Sequence, residues 1–125
     1  MAQRRMMEQV PSADVIITNP THYAIALRYD AENMPAPVLI AKGMDLMAGN
    51  IRGVADKHNI PILSSPALAR ALYYSTELDQ EIPMGLFQAV AQVLAYIFHL
   101  KETGSGPSDT SALADLPIPK ELQRD

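Results

Sequence analysis

The sequence predicts one α/β domain, in which a small mixed β-sheet of about four strands is surrounded by helices. Two β-type runs, at 14–18 and 23–29, lie on either side of a short polar turn. A third apolar run, at 38–41, is followed by helical periodicity from about 45 to 58. A longer helical stripe occupies about 83–100. This order of elements is typical of an α/β domain.

The remaining elements follow from local signals. Residues 1–9 are rich in good helix formers and predict a polar helix, which ends at Val10-Pro11. A short strand at 62–63 precedes Ser65 and Pro66, which suit the cap and first position of another helix. The strand–helix–strand order from 38 to 63 implies some parallel pairing.

Helical spacing predicts which side chains face the sheet. In the second helix the residues predicted to face the sheet are Leu46, Met47, Ile51, Val54 and Ala55. In the third helix they are Leu68, Ala69, Leu72 and Tyr73. In the last helix they are Phe87, Val90, Ala91, Leu94, Ile97 and Phe98. A spare apolar edge near Tyr96 is a candidate partner surface, although core packing is the more ordinary use of such a stripe.

Composition excludes several classes of function. The chain has 125 residues, 48% of them hydrophobic, which suits one domain with a modest core. It has no cysteine, which excludes disulfides, thiol catalysis and thiolate metal sites. The net charge of -4 argues against a general nucleic-acid binder. No apolar run is long enough for a transmembrane helix.

Asn19-Pro20-Thr21-His22 is the stretch with distinctive chemistry. Asn followed by Pro is typical of a β-turn, so an inert strand–turn–strand unit is the plain interpretation. The alternative is self-cleavage: the Asn19 side-chain nitrogen attacks its own carbonyl carbon, closes a succinimide and expels the Pro20 nitrogen. His22 carries an imidazole, which is a side chain suited to a proton-transfer role, while Thr21 offers a hydroxyl and a backbone N–H. The residues alone do not assign individual steps.

Other potential sites are weak. His22, His58 and His99 are scattered and lack ligand spacing, so no metal site and no cofactor are predicted. Lys42-Gly43 precedes a helix, but no phosphate-binding motif surrounds it, which favours a strand-to-helix turn. The pair Arg4 and Arg5 fits a solvated helix face better than a lipid or partner contact.

The chain resembles the self-cleaving cytoplasmic domain of the FlhB/YscU family of type III secretion proteins, in its flagellar form. The tetrapeptide at 19–22, preceded by 13–17, carries the resemblance first. Further similar stretches are 1–7, 40–43, 59–62, 68–73, 82–83 and 89–96. The likeness covers roughly residues 1 to 101, and its motifs occur in the family's order.

The resemblance implies a substrate-specificity switch that breaks its own chain once between Asn19 and Pro20, and is not a turnover enzyme. It implies a linker helix at 1–11, continuing from transmembrane helices that precede it, a self-cleaving domain at 12–101 and a flexible tail at 102–125. The expected place is the cytoplasmic face of the bacterial inner membrane. Expected partners are export-gate proteins, secreted flagellar substrates and the hook-length control protein, and the two fragments are expected to stay associated. A non-cleaving docking domain, including one of an injectisome, is the alternative; a hydrolase acting on other chains is less favoured.

Overall fold

The computed structural model describes residues 2–20, 22–103 and 116–123. The helices are α1 (Ala2–Gln9), α2 (Leu46–Lys57), α3 (Pro66–Ser75) and α4 (Phe87–Thr103), and short 3-10 helices occupy Val10–Ser12, Met84–Leu86 and Lys120–Leu122. The strands are β1 (Val15–Asn19), β2 (Tyr23–Arg28), β3 (Val38–Met44), β4 (Ile62–Ser64) and β5 (Gln80–Glu81). The predicted α/β class is confirmed.

The sheet is mixed and has the order β4-β1-β2-β3-β5. Strand β2 pairs antiparallel with both β1 and β3, and β4 pairs parallel with β1. The predicted parallel pairing is therefore present, but the partner is β1, because the chain crosses both β2 and β1 after β3. The fifth strand, which the sequence did not predict, is a two-residue edge strand antiparallel to β3.

Helices cover both faces of the sheet and form two apolar cores. On one face, α3 and α4 pack over Val15, Ile17 and Leu27. On the other face, α1 and α2 pack over Ile16 and Ala26. Strand β1 contributes to both cores, which is why Val15, Ile16 and Ile17 are all fully buried.

Strand β3 contains a β-bulge that reorients its second half. Leu39 pairs with Leu27 and Ala41 pairs with Ala26, so Ile40 has no partner on β2. Ile40 and Ala41 consequently both belong to the α1/α2 core. The extra residue turns Lys42 to the α3 face of the sheet.

Several predicted side-chain orientations are wrong. Leu46, the first helical residue of α2, is 82% exposed. On α4 the buried face is rotated: Ala89 and Val93 are buried, whereas Phe87 and Phe98 are 37% and 38% exposed. Both faces of this helix carry apolar residues, so spacing alone did not identify the buried one.

The N-terminal helix is less solvated than predicted. Met6 is buried against the sheet, and its Sδ accepts the backbone N–H of Lys42 at 3.5 Å. Val10, at the end of the helix, is fully buried. Helix α1 is therefore packed on the domain. The predicted boundary at residue 11, between the linker helix and the self-cleaving domain, stays a prediction.

Residues 116–123, which belong to the predicted C-terminal tail, lie against the domain. Leu116, Ile118 and Leu122 pack against the α3/α4 core. A Cβ built on Gly85 would lie 2.9 Å from Leu122 Cδ1, so the glycine permits this close approach. Residues 116–123 are therefore docked in the structure, and the predicted boundary at residue 102 stays a prediction.

Candidate functional site: the Asn19–His22 turn

The turn connects two neighbouring strands inside the sheet. Asn19, the last residue of β1, pairs with Tyr23, the first residue of β2. The His22 N–H donates to the Asn19 carbonyl oxygen at 2.9 Å, which is the bond of a four-residue β-turn. Pro20 occupies the second position of this turn, as its fixed φ favours. Thr21 lies outside the described residues.

The turn is exposed, but the strand that leads into it is fixed. Asn19 is half-buried, and Pro20 is exposed. One residue earlier, Thr18 is buried; its carbonyl accepts the Ser65 N–H at 2.8 Å, and its hydroxyl donates to the Leu63 carbonyl at 3.3 Å. The β4–α3 junction thus holds β1 in place directly before the Asn19–Pro20 bond.

Asp45 links His22 to the start of α2. The Asp45 N–H donates to the His22 carbonyl at 2.8 Å. Its carboxylate Oδ1 lies 3.7 Å from His22 Nδ1, and the two side chains are 73% and 67% exposed. The motif alone gave no sign of this contact, because 23 residues of sequence separate the partners.

Three tyrosines pack beside the turn. The ring centroids of Tyr23 and Tyr73 are 4.8 Å apart, and Tyr74 lies edge-on to both. The Tyr23 and Tyr74 hydroxyls are 2.8 Å apart. This hydrogen bond, together with burial, raises the pKa of Tyr23.

Lys42 joins the tyrosine cluster to the end of α3. Its Nζ donates to the carbonyls of Tyr73 and Thr76 at 2.8 and 2.9 Å, and lies 4.9 Å from the Tyr73 ring centroid. A cation at the C-terminus of a helix is favourable. Lys42 is thus a strand residue whose amine caps the C-terminal end of α3. The predicted strand-to-helix turn at Lys42-Gly43 is wrong, because both residues lie within β3.

The partner surface predicted near Tyr96 stays a prediction, and Tyr96 itself contributes little exposed area to it. Tyr96 is half-buried and packs against the α3/α4 core. An apolar groove runs between α4 and the β2–β3 loop, lined by Tyr29, Pro35, Pro37, Phe87, Ala91, Leu94, Ala95 and Phe98.

Two kinds of feature are absent from residues 2–20, 22–103 and 116–123. In these stretches no three His, Cys, Asp or Glu side chains form a group that could hold a metal ion. None of the helices described there combines the length and apolar character needed to cross a membrane.

The chain belongs to a class of type III secretion export proteins. Residues 1–97 match the model of the FlhB HrpN YscU SpaS family, and the chain belongs to that family. Members of the family are export-switch proteins.

Individual relatives narrow the comparison to flagellar proteins. The chain is 50% identical to the flagellar biosynthetic protein FlhB of Salmonella typhimurium over 122 residues, which are 97% of this chain and 32% of that protein. It is 53% identical to FlhB of Bacillus subtilis over 102 residues, covering 82% of this chain and 28% of that protein. The chain thus spans about a third of the length of these relatives.

Solved structures agree with the fold. The cytoplasmic domain of FlhB from Shewanella putrefaciens superposes with a TM-score of 0.88 at 52% identity, covering 98% of this chain and 95% of that one. A mutated EscU C-terminal domain superposes with a TM-score of 0.71 at 33% identity, covering 74% of this chain and 92% of that one.

Proposed function

We propose that this domain is the substrate-specificity switch of a flagellar type III export apparatus, and that its chain breaks itself between Asn19 and Pro20. The observation that carries the proposal is the β-turn at 19–22, which presents this bond at the surface between two fixed strands. Membership of a family of export-switch proteins supports the purpose of the break.

The proposed reaction is an intramolecular cyclisation. Asn19 Nδ2 attacks the Asn19 carbonyl carbon, and the bond from that carbon to the Pro20 nitrogen breaks. Nδ2 gives up one proton and the Pro20 nitrogen takes up one, so the step consumes no water and leaves a succinimide and a proline amine. Because Pro20 has no N–H, its backbone nitrogen cannot make the competing attack on the Asn19 side chain.

Fixed geometry and proton transfer are what the protein supplies. The strand pairing of Asn19 with Tyr23 restricts the carbonyl carbon, so part of the entropic cost of ring closure is met by folding. His22 is exposed beside the turn, where it moves a proton between Nδ2 and the Pro20 nitrogen. Thr21 is proposed to contribute its hydroxyl or backbone N–H to the developing oxyanion.

The two fragments stay together after the break. The N-terminal fragment supplies β1, which lies between β2 and β4 in the sheet. Val15, Ile16 and Ile17 are fully buried there, and each is worth about 1.5–3 kcal/mol of hydrophobic free energy. The break therefore changes the turn and exposes a new proline amine without unfolding the sheet.

Export-apparatus components are the proposed partners: export-gate proteins, secreted flagellar substrates and the hook-length control protein. The exposed apolar groove beside Phe87 and Phe98 supports a docking role. The proposed location is the cytoplasmic face of the bacterial inner membrane, where the domain forms part of a longer membrane protein.

Denatured intact mass is the first test. The wild-type chain is expected to give two masses that correspond to 1–19 and 20–125, and Asn19→Ala is expected to give one. A 1–19 mass lighter by one water identifies the succinimide. The two wild-type pieces are expected to co-elute in native size-exclusion chromatography. A wild-type chain that stays whole for days refutes self-cleavage and leaves a docking domain with an inert turn.

A further inference from the structure

Asp45 has an unusual backbone conformation at the position where β3 passes into α2. Its φ is 51° and its ψ is -113°, a region that residues with a side chain rarely occupy. Glycine would adopt this conformation without strain. Strained residues of this kind persist where the surroundings over-determine them, often beside functional sites.

The Asp45 side chain does not perform the usual task of its position. Asp45 is the N-cap residue of α2, where an Asp carboxylate ordinarily accepts a backbone N–H of the first helical turn. No such side-chain bond is formed here. The carboxylate lies instead 3.7 Å from His22 Nδ1, and the Asp45 N–H holds the His22 carbonyl at 2.8 Å.

We propose that Asp45 is a positioning residue for His22 in self-cleavage, an inference that rests on the proposed function. A carboxylate facing Nδ1 favours the tautomer that carries its proton there, which leaves Nε2 free to accept a proton. The proton then passes from Asn19 Nδ2 through Nε2 to the Pro20 nitrogen, so the imidazole is regenerated. Both side chains are largely exposed, so orientation contributes more than direct attraction of charges.

Two substitutions separate this role from a structural one. Asp45→Asn keeps the size of the side chain and removes its charge, whereas Asp45→Gly removes the carboxylate and relieves the strained φ. Neither variant loses a helix-capping bond. Asp79→Gly is the matched control, because Asp79 also has a positive φ (64°) but lies next to β5, at the opposite end of β3.

Cleavage rates are measured by cell-free synthesis of the full 125-residue chain, with timed quenching in denaturant and intact mass. We expect Asp45→Gly to slow cleavage by about tenfold or more, and Asp79→Gly to leave the rate unchanged. Asp45→Asn is expected to slow cleavage less than Asp45→Gly, because its amide oxygen can still accept the Nδ1 proton and orient the ring. The denaturation midpoint of Asp45→Gly, measured in the Asn19→Ala background, is expected not to fall. A purely structural role predicts instead that Asp45→Gly lowers the denaturation midpoint and leaves the cleavage rate unchanged.

A double-mutant cycle with His22→Ala tests whether Asp45 acts through His22. In that background Asp45→Gly is expected to cause no further loss of rate, because the group it positions is gone. Equal cleavage rates for wild type and both Asp45 variants overturn this inference and leave the proposed function standing. A further loss of cleavage rate on adding Asp45→Gly to His22→Ala has the same consequence. A wild-type chain that never breaks overturns the proposed function and, with it, this inference.

Discussion

Replacing Lys42 by Met tests whether the end of α3 depends on a lysine from the sheet. Methionine keeps most of the apolar stem and removes the charged amine. The two hydrogen bonds from Nζ, to Tyr73 and Thr76, are 2.8 and 2.9 Å long, and the side chain is only 18% exposed. Hydrogen bonds from a charged group contribute about 1.5–3 kcal/mol each. Water can reach part of this site, so we expect a loss of about 2–3 kcal/mol.

Urea unfolding in the Asn19→Ala background measures this loss on an unbroken chain. Small proteins lose about 1–3 kcal/mol of stability per molar urea, so the midpoint is expected to fall by about 1 M. Lys57→Met is the matched control, since Lys57 lies in the last turn of α2 but is exposed. Indistinguishable midpoints for the Lys42 and Lys57 variants would refute the capping role.

Two further predictions concern the tyrosine cluster and the docked tail. The hydrogen bond with Tyr74 raises the pKa of Tyr23 above 10.0, so this bond stabilises the fold below about pH 10, and its contribution is lost as pH rises through the raised pKa. Tyr74→Phe is expected to lower the Tyr23 pKa, observed by NMR of ¹³Cζ-labelled tyrosine; an unchanged titration contradicts the assigned cause. Gly85→Ala places a Cβ 2.9 Å from Leu122 Cδ1 and is expected to increase hydrogen exchange at 116–123, whereas Gly53→Ala, with open space around it, is not; equal exchange in both variants contradicts the docking.

Local sequence determines much of this fold. The strands at the turn, the start of α3 at Pro66 and the β-turn with Pro20 all follow from residue preferences within a few positions, and the structure has each of them. Ser65 occupies the predicted N-cap position of α3, but its side chain makes no capping hydrogen bond. The self-cleavage assigned to the turn stays a prediction. Its chemistry depends on one tetrapeptide, which is why a sequence could suggest it at all.

Contacts between distant elements were beyond such reasoning. Lys42 faces α3 only because a bulge at Ile40 shifts the alternation of β3, and no residue in that strand signals an irregularity. Asp45 meets His22 only because the ends of β2 and β3 adjoin. The buried face of α4 was misjudged because Phe87 and Phe98 are as apolar as the residues that pack inward.

The interior position of β1 determines how a chain broken at Asn19–Pro20 would respond to force. After the break, no covalent bond joins the N-terminal piece to the rest, and β1 is held along both edges by β2 and β4. A pull along the strand axis loads both rows of hydrogen bonds together in shear, whereas an edge strand is held by one row only. A broken domain would therefore still transmit tension from its N-terminal helix to the remainder of the sheet.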